Sequence, residues 1–126
     1  MLNSWVLPLL LFTTVTPLLY VQKNEIRSVD TLDGLWTFVR EPHNGGDVGI
    51  VNGWKGKDLA KFENSTVMPV PSSYNDLGTS SELRDHIGWV WYQKKEFIPL
   101  RDSNMRHVLR FGSVNYFAVV VSEPTD

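Results

Sequence analysis

A chain of 126 residues is long enough for one domain with a working core and too short for two. Its formal net charge of -2, from 12 basic and 14 acidic residues, gives no electrostatic footprint for nucleic acid, and the absence of cysteine excludes a disulfide framework. Aromatic residues at 12% exceed what a minimal core needs and point to a sheet-rich fold, or to a surface on which sugar rings stack.

The chain opens on an apolar run, "WVLPLLLFTTV" from Trp5 to Val15, followed at once by the polar "QKNEIRS". The run has the length of a signal-peptide hydrophobic region and falls short of the roughly 20 residues that span a bilayer, and Pro8 would interrupt a core helix. Residues 1–19 therefore read as a secretory leader, cleaved between Thr16 and Tyr20, and residues 20–126 as the mature chain. After its removal no membrane span is expected. The triplet Asn64, Ser65, Thr66 is an N-x-T acceptor without proline, so Asn64 is a candidate glycosylation site in a chain that enters the secretory pathway.

The first strand is predicted in "LDGLWTFVR", Leu32 to Arg40, with Leu35, Thr37 and Val39 on one face and Trp36 and Phe38 on the other. Glu41 to Gly53, "EPHNGGDVGIVNG", reads as a loop, and "WKGKDLAKF" from Trp54 to Phe62 as one or two helical turns weakened by Gly56. In "TVMPVPSSYNDLG" Pro69 and Pro71 each lack a ladder donor, which predicts an edge segment leading into a turn at Ser72 to Asp76. "GWVWYQKKEFIP", Gly88 to Pro99, has the strongest strand composition, closed by Pro99. Further strands are predicted at Val108 to Phe111 and at Tyr116 to Val121. Strands about ten residues apart with little helix argue an all-β sandwich or jelly roll.

No catalytic centre is visible in the spacing of the reactive side chains. His43, His86 and His107 lie far apart without ligand-like partners, so no metal site is expected, and each reads as a solvated loop or strand-edge histidine. Arg84, Asp85 and His86 are adjacent on what reads as an extended segment, where neighbours point to opposite faces and cannot form a dyad. Ser72 and Ser73 lack a nucleophile elbow, "HNGGDVG" lacks the lysine of a phosphate loop, and the carboxylates are scattered over loops. Neither catalytic nor cofactor-binding residues are assigned.

Four stretches taken together, "LDGLW", "MPVPSSYND", "IGWVWYQKKEFIP" and "VLRFGSVNYFAVV", resemble in order and spacing the amino-terminal sugar-binding domain of glycoside hydrolase family 2, and of its β-glucuronidases in particular. The resemblance covers roughly Leu19 to Val121. It implies a galactose-binding-like jelly-roll β-sandwich, followed in the family by an immunoglobulin-like sandwich and a TIM barrel that holds two catalytic glutamates. It also implies that Trp36, Trp89, Trp91, Tyr92 and Phe111 are core or domain-packing residues, with sugar stacking as the alternative role. A glucuronide is then the carbohydrate partner of the full-length family member, lysosomal or extracellular, and any homo-oligomer belongs to that full-length form.

After Val121 the family continues with a Trp-Val-Asn-Gly-like turn, whereas this sequence reads "SEPTD". The expectation is a jelly roll truncated before its sheet closes. Retaining glycosidases need two carboxylates about 5 Å apart, and the family's pair belongs to the barrel, so the chain alone is expected to be inactive. The alternative is a free-standing, non-catalytic carbohydrate-binding or interaction module.

Overall fold

A computed structural model of the protein describes residues 23–42, 46–99 and 104–123. The leader expected over residues 1–19 and His43 lie outside the described residues. Two units separate at Thr31. Within the described part of the first, Asn24 and Arg27 form a tight turn, in which the Asn24 side chain also accepts from the Ile26 N–H at 3.1 Å.

The second unit is built on β1, Gly34–Arg40, which alternates as its sequence predicts and is buried on both faces at Phe38 and Val39. Such a strand needs a neighbour on each side and a layer on each face. The neighbours are β2, Thr66–Val70, and β3, Val90–Gln93, giving an antiparallel sheet in the order β2-β1-β3. Gly34 lies opposite Val70 and Phe38 opposite Thr66, while Thr37 lies opposite Gln93 and Arg40 opposite Val90.

The Glu41 N–H donates to the Trp89 carbonyl at 3.1 Å, one step beyond the β1–β3 pair. Bonding residues alternate in an antiparallel ladder, so Val39 and Thr37 bond toward β3 while Phe38 and Trp36 bond toward β2. It follows that Val67 and Pro69 of β2 turn their backbone groups outward. The missing N–H of Pro69 therefore breaks no ladder bond, which is why the strand accommodates a proline at the edge.

Short helical turns supply the covering layers. On the Phe38 face lie α2, Tyr74–Leu77, and α3, Ser81–Arg84, with Phe38 meeting Tyr74 at 5.7 Å and Tyr92 at 5.0 Å between ring centroids. On the Val39 face lie α1, Val48–Val51, and two 3-10 turns, Trp54–Gly56 and Leu59–Lys61. Leu59 and Val39 are buried on this side, Phe38 and Met68 on the other. Gly53 stands at φ 62 just before Trp54, a left-handed geometry that a side chain would strain.

The described residues thus form a small all-β domain with an open three-stranded sheet and few helices. Several predicted boundaries change. The expected loop 41–53 contains α1, and the expected turn 72–76 contains the start of α2. The strand expected from Gly88 to Pro99 is confined to Val90–Gln93. Among the described residues, the strands expected at 108–111 and 116–121 do not form, and residues 104–123 are exposed throughout. An extended segment holds as a strand only where a neighbour takes its backbone groups and a layer covers its apolar face. Among the described residues no strand pairs with 108–111 or 116–121.

Candidate functional site

Position 41 follows Val39 by two residues and so falls on the same, covered face of the sheet. Glu41 is accordingly 1% exposed. Its Oε1 accepts from the Gly49 N–H at 2.9 Å and from the Trp91 indole Nε1 at 2.6 Å, which ties α1 and β3 to the end of β1. Its Oε2 has no hydrogen-bond partner among the described residues. A β-carbon on Gly49 would overlap the Trp91 ring, so glycine is what lets the indole reach the carboxylate.

Around this carboxylate the aromatic rings pack on one another. Trp91 meets Trp54 at 5.8 Å, and Trp54 meets Phe62 edge-on at 5.0 Å. Trp89 donates from Nε1 to Asp47 Oδ1 at 2.7 Å. Gln93 completes the same side: its Oε1 accepts from the Leu59 N–H at 3.0 Å and its Nε2 donates to the Lys57 carbonyl at 2.9 Å. These bonds use up the polar ends of the strand's side chains in positioning the covering turns.

His86 anchors the opposite face. The sequence suggested a solvated histidine, but the structure leaves it 3% exposed, because Tyr74 and the α2–α3 connection fold over it. Its Nε2 lies 3.2 Å from the Trp89 carbonyl, and since a carbonyl only accepts, Nε2 carries the proton. Asn75 Nδ2 donates to the Arg84 carbonyl at 2.8 Å and closes the connection. The extended geometry expected for residues 84–86 is also corrected: Arg84 ends α3, and Asp85 Oδ1 accepts from Arg84 Nε at 3.3 Å.

A shallow open groove runs along the other end of the sheet, lined by Leu35, Thr37, Asp58, Gln93, Lys94 and Lys95 among others. Lys95 pairs with Asp58 at 3.0 Å, and its hydrogen bond holds the Asp58 carboxyl below the usual value despite opposing desolvation. Tyr92 is pushed up to about 12 by burial and then by Tyr74. Among the described residues, no three His, Asp or Glu side chains come together as metal ligands, and no helix is long and apolar enough to cross a membrane.

The β-glucuronidase of Mus musculus is 40% identical to this chain over 106 residues, which is 82% of this chain and 16% of that protein. That of Canis lupus familiaris is 39% identical over the same lengths. A solved β-glucuronidase from an uncultured Clostridium species matches at 42% identity and a TM-score of 0.59, over 68% of this chain and 14% of that one. Over most of its length the chain is thus similar to part of the β-glucuronidases. The chain spans 16% of the length of the curated relatives it matches, and no family model matches it.

Within the described residues the aromatic residues singled out by sequence divide into two groups. Trp36, Trp89, Trp91 and Tyr92 are half-buried, as packing residues are, with the Trp36 Nε1 donating to the Leu32 carbonyl at 2.8 Å. Phe111 is not in the core; it is 45% exposed, because the strand that was to bury it does not form. Asn64 lies exposed in the turn before β2, its Nδ2 donating to the Arg40 carbonyl at 3.2 Å. Sequence reasoning missed Glu41 and the burial of His86. The period-two count from Val39 marks the first, and serine caps mark the covering turns: Ser73 Oγ accepts from Asp76 N–H at 3.4 Å and Ser80 Oγ from Leu83 N–H at 3.3 Å.

Proposed function

We propose that this chain is the amino-terminal, non-catalytic part of a β-glucuronidase-type glycosidase, a jelly-roll sandwich whose role is to scaffold hydrolysis of glucuronides by the whole protein. The observation that carries this reading is 40% identity over 106 residues to a β-glucuronidase. The use of Trp54, Trp91 and Gln93 in packing and in holding turns supports a scaffolding rather than a sugar-stacking role for that face. The acid/base and nucleophile carboxylates belong, in this reading, to a barrel outside these residues, so the chain by itself turns over no substrate.

In the same reading residues 1–19 direct the chain into the secretory pathway, toward the lysosome or the outside of the cell, and Asn64 carries a glycan. The apolar run before Thr16 and the exposure of Asn64 support this. The test is the 126-residue chain secreted from a eukaryotic cell and offered a chromogenic glucuronide. The expected result is no turnover, a mature terminus between Pro17 and Val21, and a mass that falls in the Asn64→Gln variant by one glycan. Turnover that copurifies with the chain would overturn the non-catalytic reading, and retained Met1 with an unchanged Asn64→Gln mass would overturn the secretory one.

A further inference from the structure

α1 runs straight into the dipeptide Asn52–Gly53, a sequence in which an asparagine side chain is readily attacked by the backbone nitrogen that follows it. Glycine in the second place has no side chain to crowd the approaching carboxamide, and its left-handed φ of 62 disfavours any other residue there. The only co-reactant is water. The Gly53 nitrogen gives its proton to water or hydroxide and bonds to the Asn52 side-chain carbonyl carbon; the carbon–nitrogen bond of the side-chain amide breaks, and ammonia leaves with a proton taken from water. A second water then opens the five-membered imide at one of its two carbonyls, leaving aspartate or isoaspartate.

The fold holds this reaction back in two ways. The Gly53 N–H donates to the Ile50 carbonyl at 3.2 Å, so the attacking nitrogen keeps both its proton and its place in the turn. Asn52 stands at φ -86 and ψ 5, which sets the Gly53 nitrogen in line with the backbone nitrogen of Asn52 itself. The Asn52 β-carbon lies about a third of a turn away around the α-carbon, and ring closure needs the Gly53 nitrogen in line with that β-carbon instead. Rotating ψ so far carries the Gly53 N–H away from Ile50 and unwinds the end of α1. The interior ties α1 down: the Gly49 N–H donates to the buried Glu41, and Trp54, next after Gly53, packs on Trp91.

We propose that Asn52 is a deamidation site latched by the end of α1, modified only when α1 opens and unable to close again afterwards. Isoaspartate routes the backbone through the former side chain and lengthens it by a methylene group. The Asn52-to-Val48 bond of 2.9 Å and the Gly53-to-Ile50 bond of 3.2 Å then cannot both reform. Either product also sets a carboxylate beside the last carbonyls of α1, where negative charge is disfavoured. Gly49 and Trp54 flank the site and both belong to the cluster around Glu41, so the change loosens that cluster from one side. This goes beyond the glycosidase reading and does not depend on it, since every contact it uses lies between residues 41 and 91.

Incubating the whole 126-residue chain at mildly alkaline pH, in buffer and in urea, tests the proposal. Cleavage before Asp47 and after Lys55 releases residues 47–55, whose mass reports conversion of amide to acid and which separates Asn52 from Asn44–Gly45, outside the described residues. The expected result is conversion in urea and a rate in buffer lower by roughly tenfold or more. That slowing should be at least as large as the hydrogen-exchange protection of the Gly53 amide, because both reactions need the same N–H released. Isoaspartate-containing chain returned from urea to buffer should show no protection at that amide. Four results overturn the proposal: no conversion in urea; equal rates in urea and in buffer; a slowing smaller than the Gly53 protection, which means that attack occurs with α1 closed; or a modified chain that regains the original protection.

Discussion

Residues 34–93 and residues 104–123 are both rich in large apolar side chains, but only the first stretch builds a core. Phe38 is 1% exposed and Val39 0%, whereas Phe111 is 45% and Val121 50%. The difference lies in what surrounds each segment rather than in its composition. β1 has a strand on each side and a layer of short turns on each face, the Val39-face layer held by the hydrogen bonds of Glu41 and Gln93 and the Phe38-face layer closed by that of Asn75. Residues 104–123 have no ladder partner among the described residues. Apolar sequence supplies a reason to be buried; backbone pairing and a covering layer are what make burial happen.

The sharpest way to break this comparison is to truncate the same kind of side chain in both regions. Phe38→Ala removes a ring packed against Tyr74 and Tyr92 and is expected to cost about 3 to 5 kcal/mol, whereas Val119→Ala on the exposed segment is expected to stay within about 0.5 kcal/mol. Urea unfolding of the two variants measures both. Similar losses would mean that residues 104–123 contribute to the same core as β1.

A smaller effect separates packing from polar anchoring within the core. Glu41→Ala strands the Gly49 N–H and the Trp91 indole N–H, at about 1 to 3 kcal/mol for each donor left unpaired. Glu41→Gln keeps an acceptor for both and is expected to recover part of that loss. Equal destabilisation by the two variants in the same unfolding assay would show that the anchor acts through its charge and not as an acceptor.

The smallest expected effect is at alkaline pH. Burial raises the Tyr92 phenol from 10.0 to about 12, so the folded state holds this proton more tightly than the unfolded chain. Its contribution is therefore whole below pH 10 and is lost as pH rises toward 12. Half-burial keeps the loss modest. A phenolate titration by ultraviolet absorbance should show one late tyrosine that moves to the ordinary range on unfolding; all tyrosines ionising together in the folded chain would refute the burial of Tyr92.

Local pattern made β1 legible, since alternation over Leu35 to Val39 reports directly on two covered faces. It made β2 legible as an edge, since a missing donor is tolerated only where no neighbour needs it, and Pro69 turns outward. The serine caps at Ser73 and Ser80 are also local signals, but Ser73 falls inside the turn predicted over Ser72 to Asp76 and Ser80 lies outside every predicted element, so the helices that cover Phe38 went unpredicted. Glu41 looked like the first residue of a polar loop. Its burial depends on Gly49 and Trp91, which lie 8 and 50 residues away in sequence, and no window of local pattern contains all three.

By itself, then, the sequence determined the strand-rich class, the central strand, the protected edge and the β-glucuronidase resemblance, all of which rest on residue types and spacings within a few positions of one another. Only the tertiary structure decided which apolar segments are covered, that His86 is enclosed by Tyr74, and that a buried carboxylate joins β1, α1 and β3. The physical reason is that burial and hydrogen bonding are pairwise: a side chain's own character sets what it gains from a partner, and the chain's path alone sets whether that partner arrives.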